Sequence, residues 1–341
     1  MILYLGNILS HLGKSVSVIE ILGPRLAEFD QVVMASRKAN KFLRLLDMLM
    51  HVVRYRKARI LLIDCYSSTA FWYVVLVSAM ARCYKIPYVP ILHGGDLPNR
   101  LQSSPVVSRF VFANAHINVS PSLYLKERFA NSGFNVVYIP NFIEIGQYAF
   151  LKRTQLKPRL LWVRAFHKIY NPLLAIDILK SLTIKYPDVL LTMVGTDKDG
   201  SMDEVKSKAQ RDGVANRLEI TGYLTKEEWR KKSEHCDIFI NTTNFDNMPV
   251  SVIEAMALGL VVVSTNAGGL PYLIHHQEDG FLVNTGDVQG FIDAIEKLIN
   301  QPELARKLSS NARLKVEGFD WQVVKKKWKE ISFSTKEKVN S

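Results

Sequence analysis

Cysteine is scarce in this 341-residue sequence: Cys65, Cys83 and Cys236 share no metal-ligand spacing and cannot all pair. That excludes a disulfide framework and suits a reducing compartment. Long apolar runs are missing too. The nearest approach to a membrane span, "CYSSTAFWYVVLVSAMA" from Cys65 to Ala81, is uncharged but falls short of crossing length and opens on polar and small residues. A buried or surface-docked helix is expected there. The N-terminal "MILYLGNIL" lacks a basic leader and a small-residue cleavage site, and reads as a strand instead of a signal peptide. Internal repeats and low-complexity tracts are absent.

A phosphate-binding loop is also lacking, although residues 4–18, "YLGNILSHLGKSVSV", suggest one. Such a loop needs a glycine five residues before Gly13-Lys14-Ser15, so that successive backbone N–H groups aim at one phosphate chain. Ile8 stands in that place, and Gly6 is two positions too far. The stretch is a glycine-containing turn after a first β-strand.

Acidic residues are outnumbered: 44 Lys and Arg face 32 Asp and Glu, a net charge of +12. Residues 1–150 hold 16 of the bases and only 8 of the acids. A basic first half predicts an anionic partner: nucleic acid, a phosphate-bearing substrate or an acidic membrane surface. Nucleic acid is disfavoured, since no binding motif or basic–aromatic strand pattern is present. Between residues 37 and 59 lie Arg37, Lys38, Lys41, Arg44, Arg54, Arg56, Lys57 and Arg59 against a single acid, Asp47. Phe42, Leu45, Leu46, Leu49, Val52 and Val53 recur at helical spacing opposite Arg44, Asp47, His51 and Arg54. The pattern describes a helix lying on an anionic bilayer, or equally a domain helix with its apolar stripe inward and a solvated basic face.

At 48% hydrophobic and 22% charged, the chain can fill the cores of about two domains. Strand-like runs at 2–5, 60–63, 87–92, 115–119 and 136–139 alternate with helical patterns. A second series follows at 159–164, 189–194, 217–220, 236–241, 260–264 and 281–283. Two βα series predict an α/β fold of two doubly wound, Rossmann-like parallel-sheet domains facing a central cleft, with ligands at the carboxyl ends of the strands. "IPNFIEIGQYAFLKRTQLKP", 139–158, reads as the linker. The boundaries are 1–145, 146–318, and a terminal helix and tail at 319–341 that packs back on the first domain.

The chemistry concentrates in "NTTNFDNMPVSVIEAMALGLVVVSTNAGGLPYLI", 241–274. A strand ends, a loop carrying Asp246 follows, and a long helix begins near Pro249, where proline is tolerated because its N–H was never needed. The free N–H groups of the first turn and the positive end of the helix dipole suit a phosphate. Glu254, about one turn inside, is placed to accept both hydroxyls of a ribose.

Here the chain resembles the retaining glycosyltransferases of family four, enzymes of the GT-B fold whose signature is Glu, seven residues, Glu, then Ala-Met-Ala, a small residue and Gly. This sequence has Asp246, seven residues, and Glu254-Ala255-Met256-Ala257-Leu258-Gly259; the first acid is one methylene shorter. The resemblance runs over nearly the whole chain, through "AHINVSPSLYLKERF", "VVYIPNFIE" and "RLEITGYLTKEEWRKKSEHCDIFINTT". It implies that Glu254 holds the donor ribose, and that Asp246 with Asn247, Met248, Pro249, Val250 and Ser251 meets the donor sugar and diphosphate. "LLWVRAFHKIYNPLLAIDIL" stands where relatives place Gly-Arg and Lys-Gly. Arg164 matches the arginine; Lys168 falls one position before the lysine's column. Gly195 occupies the strand–glycine turn beside the base. In the first domain His93, in His93-Gly94-Gly95-Asp96, takes the place of a histidine that reaches the transferred sugar. Gly6, Asn7, Gly13, Lys14, Gly94, Gly95 and Asp96 form the acceptor-side loops.

Asp197-Lys198-Asp199 has the DxD pattern of the metal site in the other large glycosyltransferase fold, but that fold carries it in about its first hundred residues. No metal and no cofactor are expected. Negative charge on the departing nucleoside diphosphate then falls to Arg164, Lys168 and the helix N-terminus. The resemblance implies front-face attack, with the leaving phosphate taking the acceptor's proton. The expected function is transfer from a nucleotide sugar to a glycan or lipid-linked acceptor in cell-surface polysaccharide or glycolipid assembly. The expected place is the cytoplasm, peripheral on the inner face of the plasma membrane. A soluble acceptor is the alternative.

Overall fold

Two parallel sheets of six strands each carry the described residues, 1–12 and 16–334, of the computed structural model. Gly13 and Lys14 lie outside the described residues. The first sheet holds β1 (Ile2–Leu5), β2 (Val32–Ala35), β3 (Ile60–Cys65), β4 (Tyr88–Leu92), β5 (Asn118–Ser120) and β6 (Val136–Tyr138), in the order β2-β1-β3-β4-β5-β6. The second holds β7 (Arg159–Val163), β8 (Leu190–Val194), β9 (Leu218–Gly222), β10 (Ile238–Asn241), β11 (Val261–Thr265) and β12 (Phe281–Val283), ordered β12-β11-β10-β7-β8-β9. The chain accordingly adopts the doubly wound α/β fold twice.

The chain divides into one unit of Met1–Pro140 with Gln322–Ser341, and a second of Asn141–Trp321. Helices cover both faces of each sheet, so central strands read as unbroken apolar runs: all residues of β1, β3, β4 and β11 are buried. The first core gathers Leu61, Ile63, Phe71, Val74, Phe112 and Phe129. The second unit has a core on each face of its sheet, one around Trp162 and Phe166 and one around Phe239 and Met256.

The expected linker, 139–158, packs within the second unit from Asn141 onward: Tyr148 and Leu156 are buried, and Arg153, buried as well, donates to the carbonyls of Cys236, Ser233 and Leu258. From Gln322 onward the terminal helix Trp321–Ser334 belongs to the first unit, where Lys325 pairs with Glu28 at 2.6 Å. β2 escapes the sequence reading because it is a short edge strand whose first three residues are only half-buried. Within the stretch 65–81 the helix Phe71–Cys83 begins at Phe71, and among the described residues no helix is long and apolar enough to cross a membrane.

The basic helix, Lys41–Arg54, is turned differently from the expected arrangement. Its inward stripe is Arg44, Met48 and Val52, while Phe42, Leu43, Leu46, Met50 and Val53 are exposed. Arg44 is spent internally, donating to the carbonyls of Lys38 and Ala39 and to the Asn7 side chain. It belongs to the fold and not to a basic outer face.

Candidate functional site

In each sheet the strand order reverses once, between β1 and β3 and between β7 and β10. Such switch points open a crevice at the carboxyl ends of the strands. Among the described residues, Arg164, Gly195 and Asp246 lie just after the strands of the second sheet, and Gly6, Asn7, His93 and Gly94 just after those of the first.

In the second unit Arg164 follows directly on β7 and forms an ion pair with Asp246, in the loop after β10. Its guanidinium lies over the Tyr170 ring, 4.5 Å from the centroid, and its Nε is buried without a hydrogen-bond partner. Burial pushes this guanidinium below its ordinary pKa, yet an arginine stays charged at any working pH. The loop below is braced by the "NTTN" run. Trp162 donates to Thr242 at 3.0 Å, Thr242 and Thr243 donate to the carbonyls of Tyr170 and Ile169, and Thr265 donates to the carbonyl of Thr243.

Asp246 also accepts from the N–H of Asn247 at 2.8 Å. The chain then passes Met248, whose carbonyl accepts from Asn141, to Pro249, the N-cap of the helix Val250–Ala257. This helix has 8 residues, shorter than the long one expected, because Gly259 turns the chain at a positive φ of 79°. Pro249 has no N–H to offer, so Val250 and Ser251 supply the free donors of the first turn. The Ser251 hydroxyl is buried with no hydrogen-bond partner. Two glycines after β11 hold the loop: a Cβ on Gly268 or Gly269 would overlap the carbonyl oxygen of Asp246 or Asn247. Gly195 serves likewise, since a Cβ there would overlap the carbonyl of Arg164.

Glu254 is buried at 4% exposure, and its Oε1 accepts from the Tyr148 hydroxyl at 2.6 Å and from Lys226 Nζ at 2.8 Å. Burial and then the Glu254 charge push the Tyr148 phenol upward, so it remains a donor. Lys168 stands apart: exposed, it pairs with Glu204 at 3.6 Å. The DxD acids are engaged at the head of the helix Ser201–Arg211. Asp197 accepts from the N–H of Gly200 at 3.1 Å, and Asp199 from the N–H groups of Ser201 and Lys168.

In the first unit His93 follows β4 and its Nε2 lies 3.0 Å from Asp64 Oδ1. The same oxygen accepts from the Tyr4 hydroxyl at 2.8 Å. Gly6, after β1, faces this carboxylate: a Cβ there would stand 2.5 Å from Oδ2. Asn7 receives Arg44 and, through its carbonyl, the Ser17 hydroxyl. Gly94 packs on the backbone of Ser67. Gly95 is half-buried, and exposed Asp96 accepts from the Asn99 side chain at the head of the helix Leu97–Ser103.

Asp64, Tyr4, Tyr148, Tyr170, Lys226 and the Gly268-Gly269 pair were not found from the sequence. Asp64 left a signal, as the one charged residue in the buried strand "ILLIDC". Tyr148 and Lys226 left none, because only the fold brings them to Glu254.

Two doubly wound parallel sheets of this kind are the architecture of the GT-B glycosyltransferases. HepE of Anabaena, solved with UDP, superposes with a TM-score of 0.80 over 98% of this chain and 99% of its own, at 19% identity. Residues 150–315, within the second unit, match the model of the group 1 glycosyl transferases. Among curated relatives, a Haemophilus influenzae glycosyltransferase is 28% identical over 151 residues, 44% of this chain and 42% of its own length. An Escherichia coli enzyme, UDP-Gal:alpha-D-GlcNAc-diphosphoundecaprenol alpha-1,3-galactosyltransferase, is 25% identical over 223 residues, 60% of this chain and 55% of its own. In both, the match spans about half of the relative's length.

Proposed function

We propose that this protein is a retaining glycosyltransferase that moves a sugar from a nucleoside diphosphate to the hydroxyl of a glycan or lipid-linked acceptor, without a resident metal. The carrying observation is the β7/β10 switch point. A half-buried arginine after β7 is paired with the loop after β10, and the helix that follows this loop carries the free N–H groups of Val250 and Ser251 and a buried glutamate. Arg164 and the helix N-terminus supply the positive charge that a departing diphosphate needs. Asp197 and Asp199, committed to backbone N–H groups, are poor metal ligands as they stand. Glu254 is held by Tyr148 and Lys226 through one oxygen, which leaves Oε2 for ribose hydroxyls. The HepE structure was solved with UDP, which favours a uridine donor.

The test is thermal shift in buffer containing EDTA. UDP is expected to raise the melting temperature more than GDP or ADP, and Glu254→Ala to weaken UDP binding by about tenfold or more, the loss of one charge-assisted hydrogen bond. Equal affinity in parent and variant would remove Glu254 from the donor site, and a requirement for Mn²⁺ would restore a metal to it.

The E. coli relative's name specifies a diphosphoundecaprenol-linked acceptor. A lipid acceptor for this chain is supported by the helix Lys41–Arg54, which exposes Phe42 (66%) and Met50 (59%) with Lys41, Arg54, Arg56 and Lys57 at its ends. On this reading the helix lies on an anionic membrane at the cytoplasmic face. Near such a surface each basic side chain contributes about 1 kcal/mol, and salt screens it. The protein is expected to co-sediment with phosphatidylglycerol vesicles, and Arg54, Arg56 and Lys57→Gln to release it. Arg44 is left untouched because it belongs to the fold. A parent protein that stays in the supernatant at low salt returns the acceptor to the soluble class.

A further inference from the structure

The mechanism proposed above leaves one buried group unused. Asp64 is the penultimate residue of β3, at the first unit's switch point, its side chain 1% exposed, with Tyr4 and His93 both on Oδ1. Its other oxygen, Oδ2, is buried without a hydrogen-bond partner, against the backbone at Gly6. A buried carboxylate in an apolar strand costs stability unless it is well paired. Asp64 is only half satisfied.

We infer that Asp64 is a positioning residue that holds His93 in the Nε2–H tautomer, so that Nδ1 presents its lone pair to a sugar hydroxyl. The geometry follows from donor chemistry. A carboxylate only accepts, so the ring nitrogen 3.0 Å from Oδ1 carries the proton, and in the neutral ring the other nitrogen is then an acceptor. Among the described residues Nδ1 has no hydrogen-bond partner, and the Tyr66 ring, 5.4 Å away between centroids, flanks the imidazole. The Tyr4 phenol, driven upward by burial and by Asp64, stays protonated and donates, so it competes for lone pairs of Oδ1 without disturbing the proton on His93. The backbone fixes the same pair, because the N–H of His93 donates to the carbonyl of Cys65, the neighbour of Asp64. A carboxylate that sets the tautomer of a histidine is a recurrent device for catalytic imidazoles.

This inference rests on the reading of His93 as a group that meets the transferred sugar, and the two are tested separately. The tautomer is read in the free parent protein by ¹⁵N–¹H correlation of the histidine ring. His93 is expected in the Nε2–H form, and Asp64→Asn, whose amide can donate, is expected to move it toward Nδ1–H. A parent in the Nδ1–H form, or a variant with an unchanged ring signature, overturns the assignment. Hydrolysis of UDP-glucose supplies the kinetic readout. Asp64→Asn is expected to lower kcat roughly 10²-fold or more while the KM for UDP-glucose stays within about threefold. Combined with His93→Ala it should cost no more than His93→Ala alone, as for two residues acting as one unit. Additive losses would make Asp64 a fold residue and overturn the role. If His93→Ala leaves hydrolysis intact, the role of His93 fails while the tautomer result stands. Tyr4→Phe, which spares the carboxylate, should keep both the Nε2–H signature and kcat within a few-fold; loss of the signature would assign the ordering to Tyr4.

Discussion

Each of the two units ties its loops down with one buried arginine, and the two arginines are satisfied in different ways. In the first unit Arg44 meets only neutral acceptors: the carbonyls of Lys38 and Ala39 and the Asn7 amide oxygen. In the second, Arg153 gathers the carbonyls of Cys236, Ser233, Leu258 and Leu151 and adds the Asp237 carboxylate at 3.4 Å. Burial works against the charge on both sides of that pair, lowering the arginine's pKa and raising the aspartate's. The difference concerns what a deletion leaves behind. Removing Arg44 strands neutral groups, some able to find water; removing Arg153 also takes the paired cation from a half-buried carboxylate that keeps the Lys157 N–H on its other oxygen.

The comparison breaks or sharpens with the same uncharged replacement at both positions. Arg153→Met should destabilise the second unit by about 3–5 kcal/mol, the cost of leaving one partner of a buried pair. Arg44→Met should cost the first unit about 1.5–3 kcal/mol, as for lost hydrogen bonds of a charged donor. Hydrogen exchange followed by peptide in urea separates the units. Equal losses would show that Asp237 plays no part, and losses spread over both units would show that they do not open independently.

The same contrast explains what the sequence revealed. The second unit's candidate site rests on a contiguous stretch, Asn241 to Gly269, in which strand, loop acid, proline-headed helix and second carboxylate follow in order. Adjacent residues make adjacent structure, so Asp246 and Glu254 were legible. The first unit's cluster joins Tyr4 in β1, Asp64 in β3 and His93 just after β4, which become neighbours only when β3 returns beside β1. No local periodicity encodes that. His93 was reached through resemblance, and Asp64 was passed over as part of an apolar strand. The basic helix misled for a related reason. Apolar residues occupy both of its sides, and a long arginine stem can lie against a core while its head bonds loop carbonyls, so composition did not say which side faced in.

A smaller prediction follows from the first helix of each unit. The helix Val18–Leu26 starts at Ser17, and Glu20, one turn in, accepts from the Ser17 N–H at 2.9 Å and hydroxyl at 2.7 Å and from Ser10. Its counterpart after β7, Pro172–Thr183, has Asn171 at its cap and no acid in its first turn. Burial raises the Glu20 carboxyl, but the hydrogen bonds from Ser10 and Ser17 outweigh it and bring the group down to about 2 from 4.5. A carboxyl lowered by folding stabilises the native state fully above its unfolded pKa, and the contribution is lost as pH falls from about 4.5 through about 2. Because Glu20 is only half-buried, solvent screening reduces the effect to about 0.5–1 kcal/mol. Glu20→Gln should therefore lower the urea midpoint of the first unit at pH 7, lose that deficit as the pH is brought from 4.5 toward 2, and leave exchange in Pro172–Thr183 unchanged. A deficit that persists undiminished at pH 2 would assign the effect to packing of the side chain and not to its charge.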